Sequence, residues 1–175
     1  MTMKARPPRG RAAVTLAYER EYMLRRPRSE PMRSGGLRCH GVAEDRALRV
    51  ELVDGRDETA VVRVAGEIDL RSALTLRDHL TAVLQAGYTS VVIDFRAVFF
   101  CDASGLNVLV ALANRASAQG GGVWLYGVRP AQRKLFEITG LHRRLPIADG
   151  VEDALTLAAS GAAPESGRGP ENPYP

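Results

Sequence analysis

Along the middle of the chain, hydrophobic and polar positions alternate in two short runs and then settle into a strand and helix rhythm. "LRVELV" (Leu48–Val53) and "TAVVRVAG" (Thr59–Gly66) both alternate, and "DGRDE" between them is turn chemistry, so two tightly joined strands are expected. "DLRSALTLRDHLTAVLQAG" places Leu74, Leu76, Leu80, Val83 and Leu84 near helical spacing, with Asp69 suited to cap the start and Gly87 to stop it. "SVVIDF" (Ser90–Phe95) is a continuous β-branched run, the mark of a strand buried on both faces. Leu106, Leu109, Val110, Leu112 and Ala113 then predict a second helix that ends before "QGGG". "VWLYGV" (Val123–Val128) predicts another buried strand, and "RPAQRKLFEITG" a short helix with Pro130 in its first turn and Gly140 beyond its end. "LPIA" reads as a last strand stub and "GVEDALTLAAS" as a final helix.

Strands alternating with helices imply βα crossovers, hence one α/β domain over Glu44–Ser160. The tight turn between the first two strands makes the sheet mixed, with four to five strands and about four helices. The flanks differ in kind. Residues 1–43 mix Arg, Pro, Gly and Ser, and residues 161–175 are rich in Pro and Gly, so both are expected to be disordered. A short helix around Val14–Leu24 is the exception allowed by the pattern, and Met32 is an alternative start.

Charge sharpens this division. The chain carries +4 overall, but residues 1–45 hold ten basic and five acidic side chains, which leaves the remainder at −1. The basic character belongs to the leader, so a direct nucleic-acid-binding fold is not indicated. The leader itself reads either as a solvated tail or as a weak tether for an anionic partner. No apolar stretch reaches the ~20 residues that cross a bilayer, and no secretory signal opens the chain, so a cytoplasmic protein is expected.

The candidate chemistry is sparse. Cys39 and Cys101 lie in a polar leader and an apolar run, which argues against a disulfide framework, and neither has metal-ligand spacing. "QGGGVWLYG" leads into a strand rather than a helix, the reverse of a phosphate-cradling loop. No cofactor motif is present. Ser104 lacks the preceding glycine of a nucleophile elbow, and nothing in the sequence ties His40, His79 or His142 to it, so an enzyme is not expected.

The junction "FFCDASGL" (Phe99–Leu106) is the most informative stretch. An apolar run ends in Asp102, then Ala103, Ser104 and Gly105, where a helix begins. Unpaired N–H groups there are satisfied by Asp or Ser, so the stretch can be a helix cap and nothing more. The same groups tolerate a phosphate on a serine, which would add negative charge to an exposed surface and repel a close-fitting partner.

Four segments in order resemble a STAS domain of the bacterial anti-sigma factor antagonist family. They are "VAGEIDLRSALTLRDHL" (Val64–Leu80), "VVIDFRAVFFCDASGLNVLV" (Val91–Val110), "GGGVWLYGVRPAQRKLFEITGL" (Gly120–Leu141) and "DGVEDAL" (Asp149–Leu155). The resemblance implies partner switching: binding to an anti-sigma factor with a histidine-kinase-like ATPase fold, which frees a sigma factor. In such proteins the kinase phosphorylates the antagonist directly after the motif aspartate, and a PP2C-type phosphatase reverses it. The antagonist itself is not an enzyme.

Carried over, Asp102 matches the motif aspartate, Gly105 the motif glycine, and Asp69 an acid near the recognition surface. The implied partner-binding set is Asp69, Asp102, Ala103, Ser104, Gly105, Leu106 and Asn107. The usual phosphoacceptor position holds Ala103, which has no hydroxyl. Three consequences stay open. Ser104 is a displaced acceptor, although one residue at a helix start turns a side chain by about 100°; or the antagonist binds permanently; or the chain is a non-switching STAS scaffold in a stress-sensing or transporter-associated complex.

Overall fold

The computed structural model describes residues 46–160. The readings made of residues 1–43, of Val14–Leu24, of Cys39 and His40, and of 161–175 lie outside the described residues. Five strands form one mixed sheet in sequence order: β1 (Arg49–Arg56), β2 (Thr59–Ile68), β3 (Ser90–Cys101), β4 (Val123–Tyr126) and β5 (Ile147–Ala148). The β1–β2 hairpin is antiparallel and every later pairing is parallel. Among the described residues there are four helices: α1 (Ala73–Gln85), α2 (Ala103–Ala118), α3 (Pro130–Ile138) and α4 (Val151–Ala159). A single 3-10 turn, Leu141–Arg143, follows α3. The α/β class and the mixed sheet match the expectation from periodicity.

Each crossover steps one strand in the same direction, so a single handedness keeps α1, α2 and α3 on one face of the sheet. That face carries the larger core. Val62, Val64, Ile93 and Phe95 of the strands meet Leu76 and Leu80 of α1, Leu109 and Leu112 of α2, and Phe136 of α3. Phe136 meets Phe95 edge to face at 6.4 Å between ring centroids, a favoured geometry for aromatic pairs. On the opposite face, Ala154 and Ala158 of α4 pack on Val61, Val92, Trp124 and Tyr126.

Four strands end elsewhere than periodicity predicted: β1 runs on to Arg56 and β2 to Ile68, and β3 and β4 differ more instructively. β3 does not stop at Phe95 but runs twelve residues to Cys101. Its pairing with β2 slips twice, between Arg63 and Ala65 and again between Gly66 and Glu67, and such bulges erase the alternation that would have revealed the extension. β4 is shorter than expected because Gly127 turns the chain at φ 70°, and a Cβ there would press into the Arg96 side chain.

Long β2 and β3 beside short β4 and β5 leave the C-terminal ends of the two central strands projecting. In open parallel sheets that end is where ligands and partners are met.

A buried carboxylate ties the middle of β3 to its neighbours. Asp94 is buried, and its oxygens accept from the Arg96 backbone N–H (3.1 Å), Arg96 Nε (2.9 Å) and Arg96 Nη2 (2.7 Å), with Arg63 Nε at 3.6 Å. Burial alone would raise its pKa. The Arg96 side-chain bonds, helped by the Arg96 backbone N–H and the Tyr126 hydroxyl, outweigh that and hold the carboxyl below the ordinary value. A depressed carboxylate contributes stability above its unfolded pKa of 3.8 and loses it as pH falls toward the folded value. Asp94→Asn is therefore expected to cost about 2 kcal/mol at neutral pH, the scale of hydrogen bonds to a charged group. It should also flatten the loss of melting temperature below about pH 4. Thermal melts of both proteins between neutral pH and pH 2 to 3 check this.

Candidate functional site

The projecting ends of β2 and β3 are fastened to each other where α2 begins. The Asp102 N–H donates to the Ile68 carbonyl at 3.0 Å, so the chain leaving β3 is held against the chain leaving β2. Asp102 sits in extended backbone, and its Oδ1 accepts from the N–H groups of Ser104 (2.7 Å) and Gly105 (3.3 Å). That is a side-chain N-cap satisfying two of the donors that a helix start leaves open.

Gly105 allows the helix to lie this close. A Cβ there would press into Ile68 Cγ2 and lie 2.8 Å from Cys101 Sγ. The helix start is thus seated on the last residues of both strands.

Asp69 plays a different part from the one periodicity suggested. α1 starts at Ala73 with Ser72 as its N-cap, and Ser72 makes no side-chain capping bond. The Asp69 carboxylate lies earlier, accepting from the N–H groups of Arg71 (3.0 Å) and Ser72 (2.9 Å) and from Ser72 Oγ (3.0 Å). It orders the loop between β2 and α1. The Ser72 N–H is the main reason its pKa lies below the ordinary carboxylate value.

The site residues divide by exposure. Ala103 and Asn107 face solvent, while Asp69, Asp102 and Ser104 are half-buried. Gly105 and Leu106, expected among the contacts, instead face the core, and Leu106 is only 7% exposed. They hold the helix in place rather than offer a surface. Gly105 does so through its missing side chain and Leu106 by joining the larger core.

Four large apolar side chains are exposed at this end of the sheet, Leu74 among them although its spacing placed it on the apolar face of the helix. Leu70 and Leu74 flank the beginning of α1, at 77% and 58% exposure, and Phe99 and Phe100 end β3 at 52% and 51%. Phe100 pairs with Glu67 across the strands, and Ile68 with Cys101. The pair "FF" breaks the alternation of β3, and that irregularity is the sequence signal that could have found them. Exposed apolar side chains gathered at one end of a sheet favour a protein contact.

Nucleophilic chemistry has little support at this end. Burial, reinforced by the Asp102 charge, pushes the Cys101 thiol up to about 12, so it stays protonated at neutral pH. Nδ1 of His79 lies 2.8 Å from the Thr75 carbonyl, and Nδ1 of His142 lies 3.3 Å from that of Phe136. Among the described residues no three His, Cys, Asp or Glu side chains are grouped to hold a metal ion. No helix among them is long and apolar enough to cross a membrane.

Comparison with known proteins agrees with this geometry. The STAS domain family model matches residues 52–154, which include both projecting strand ends and the start of α2. The anti-sigma-B factor antagonist of Staphylococcus aureus (strain NCTC 8325 / PS 47) is 28% identical over 97 residues, covering 55% of this chain and 90% of that protein. Among solved structures, an anti-sigma factor antagonist from Mycobacterium paratuberculosis superposes with a TM-score of 0.56 at 29% identity. The match spans 65% of this chain and 95% of that one. The anti-sigma factor antagonist SpoIIAA in its unphosphorylated form superposes with a TM-score of 0.54 at 28% identity, over 65% of this chain and 97% of that one.

The seating of α2 makes a direct prediction. Gly105→Ala is expected to lose about 1–3 kcal/mol, because the new methyl overpacks against Ile68 and Cys101. Asp102→Ala is expected to lose about 1 kcal/mol as a cap. Urea unfolding of both variants measures the two losses. A Gly105→Ala protein as stable as wild type would contradict the close approach.

Proposed function

The chain belongs to the STAS domain family, and from that premise we propose that it is an anti-sigma factor antagonist, a binding protein rather than an enzyme. Its partner is an anti-sigma factor with a histidine-kinase-like ATPase fold, and its binding releases a sigma factor to RNA polymerase. The observation that carries this reading is the start of α2. Exposed Ala103 and Asn107 stand beside half-buried Asp102 and Ser104, at the projecting end of a sheet matched by known antagonists.

The second part of the proposal concerns release. A phosphorylated antagonist forms when a kinase moves the γ-phosphoryl group of ATP to a hydroxyl oxygen, leaving ADP. Residue 103 is the exposed position of the helix start, and as alanine it has no oxygen to accept the group. Ser104 is the only hydroxyl within Asp102–Asn107, but it is half-buried one position on. A step of one residue turns its side chain about 100° away from the position of residue 103. We therefore propose an antagonist that its kinase does not release, and for which a PP2C-type phosphatase has nothing to remove.

The full chain, mixed with each purified kinase-fold anti-sigma factor of the source genome, tests both parts by size-exclusion chromatography with ADP or ATP. Wild type is expected to hold one such factor equally well with either nucleotide, with no phosphate on the tryptic peptide Ala97–Arg115. Ala103→Ser is expected to become ATP-sensitive and to gain one phosphate at residue 103. Phosphate on Ser104 of wild type, with loss of the complex, would overturn the permanent-binding part. Asp102→Lys should weaken the complex about tenfold or more, about 1.4 kcal/mol or above, with unchanged circular dichroism. Unchanged affinity in that variant would count against the surface.

A further inference from the structure

We propose that Phe99 and Arg129 form a specificity-determining pair on this surface, fitting an anti-sigma factor that presents an apolar side chain flanked by a carboxylate. The inference rests on the antagonist reading and adds to it a contact outside the motif residues.

Phe99 owes its position to a break in the sheet. β2 and β3 pair Gly66 with Val98 and then Glu67 with Phe100, so Phe99 is the extra residue of a bulge. Bulges re-aim the side chain they carry, and they recur beside functional sites. Here the ring turns toward α3, where the Arg129 guanidinium lies 4.8 Å from its centroid. Phe99 stays about half open to solvent, at 52% exposure.

Arg129 is held from both sides. It is the N-cap of α3 in extended backbone, and its N–H donates to Gln132 Oε1 at 3.3 Å. Gln132 Nε2 in turn donates to the Val98 carbonyl at 3.3 Å, which ties the start of α3 to the residue before Phe99. A guanidinium over an aromatic face is an ordered cation, and less freedom is lost when it then meets a carboxylate.

Charge selects the occupant. Among the described residues no carboxylate pairs with Arg129, whereas Arg133 on the same helix already meets Asp149 at 3.4 Å. The acids at this end are engaged: Asp69 and Asp102 are bonded to backbone N–H groups, and Glu67 meets Arg46 at 3.5 Å. What remains on offer is therefore a cation set over the exposed Phe99 ring, at the end of the sheet that also exposes Phe100. An acidic group beside an apolar side chain complements it, and buried Arg and aromatic anchors are the residues that dominate interfaces. A second copy of this chain docked symmetrically through the pair would bring Arg129 against Arg129, which disfavours self-association there.

Isothermal titration of the full chain against the purified kinase-fold anti-sigma factors of the source genome tests the pair. Arg129→Glu is expected to weaken binding about tenfold or more, and Phe99→Ala about fivefold or more, the scale of interface anchors. Arg129→Lys should retain more affinity than Arg129→Glu. Lys134→Glu makes the same change in net charge elsewhere on α3 and should stay within about twofold of wild type. All four should keep the wild-type melting temperature within a few degrees. Binding within about twofold of wild type for both Arg129→Glu and Phe99→Ala would overturn the inference while leaving the antagonist reading intact. An equal loss in Lys134→Glu and Arg129→Glu would also overturn it, since the effect would then be unspecific charge. If wild type binds none of the anti-sigma factors, the antagonist reading fails and this pair fails with it.

Discussion

Residue 105 has no side chain, and the placement of the whole surface depends on that. The missing Cβ lets α2 begin in contact with Ile68 and Cys101, the last residues of the two central strands. Without that contact the Asp102 N–H could not remain on the Ile68 carbonyl while its carboxylate caps the same helix. One close approach thus fixes the direction in which Ala103, Ser104 and Asn107 point. Phe99 and Phe100, just upstream on β3, are placed at the same end of the sheet by the bulge in its pairing with β2. A binding surface built on seated elements loses little freedom when it meets a partner.

Electrostatics in this domain are mostly satisfied internally. Asp94 is wrapped by Arg96 and approached by Arg63, Asp69 holds the β2–α1 loop, and Asp102 holds the start of α2. Each of these carboxylates contributes to shape, and Glu67 at the same end meets Arg46 at 3.5 Å. The surface that results is apolar with a cationic edge. Its chemistry differs from what a string containing two motif aspartates suggests.

Much of the fold was legible because the core uses simple periods. The alternation in β1 and β2, the continuous run at Ser90–Phe95 and the helical spacing of Leu76, Leu80 and Val83 each named an element correctly. The failures share one cause, which is local irregularity. Two bulges hid the second half of β3, and Gly127 shortened β4. Asp69 looked like a cap because capping depends on backbone angles that residue type alone does not reveal, and the helix starts a turn later. At the site, the order Asp102–Ala103–Ser104–Gly105 located the helix start, while the inward direction of Leu106 needed the packing of α2 to be known. The pairing of Phe99 with Arg129 joins segments thirty residues apart through a bulge, and no periodicity encodes it.

Amide hydrogen exchange of the full chain, free and bound to the kinase-fold anti-sigma factor proposed as its partner, tests most directly whether the start of α2 is the binding surface. Slower exchange is predicted at Ala103–Asn107, Asp69–Leu74 and Phe99–Cys101, with α4 unchanged on the opposite face of the sheet. Protection concentrated on Val151–Ala159, with the start of α2 exchanging as in the free protein, would contradict it.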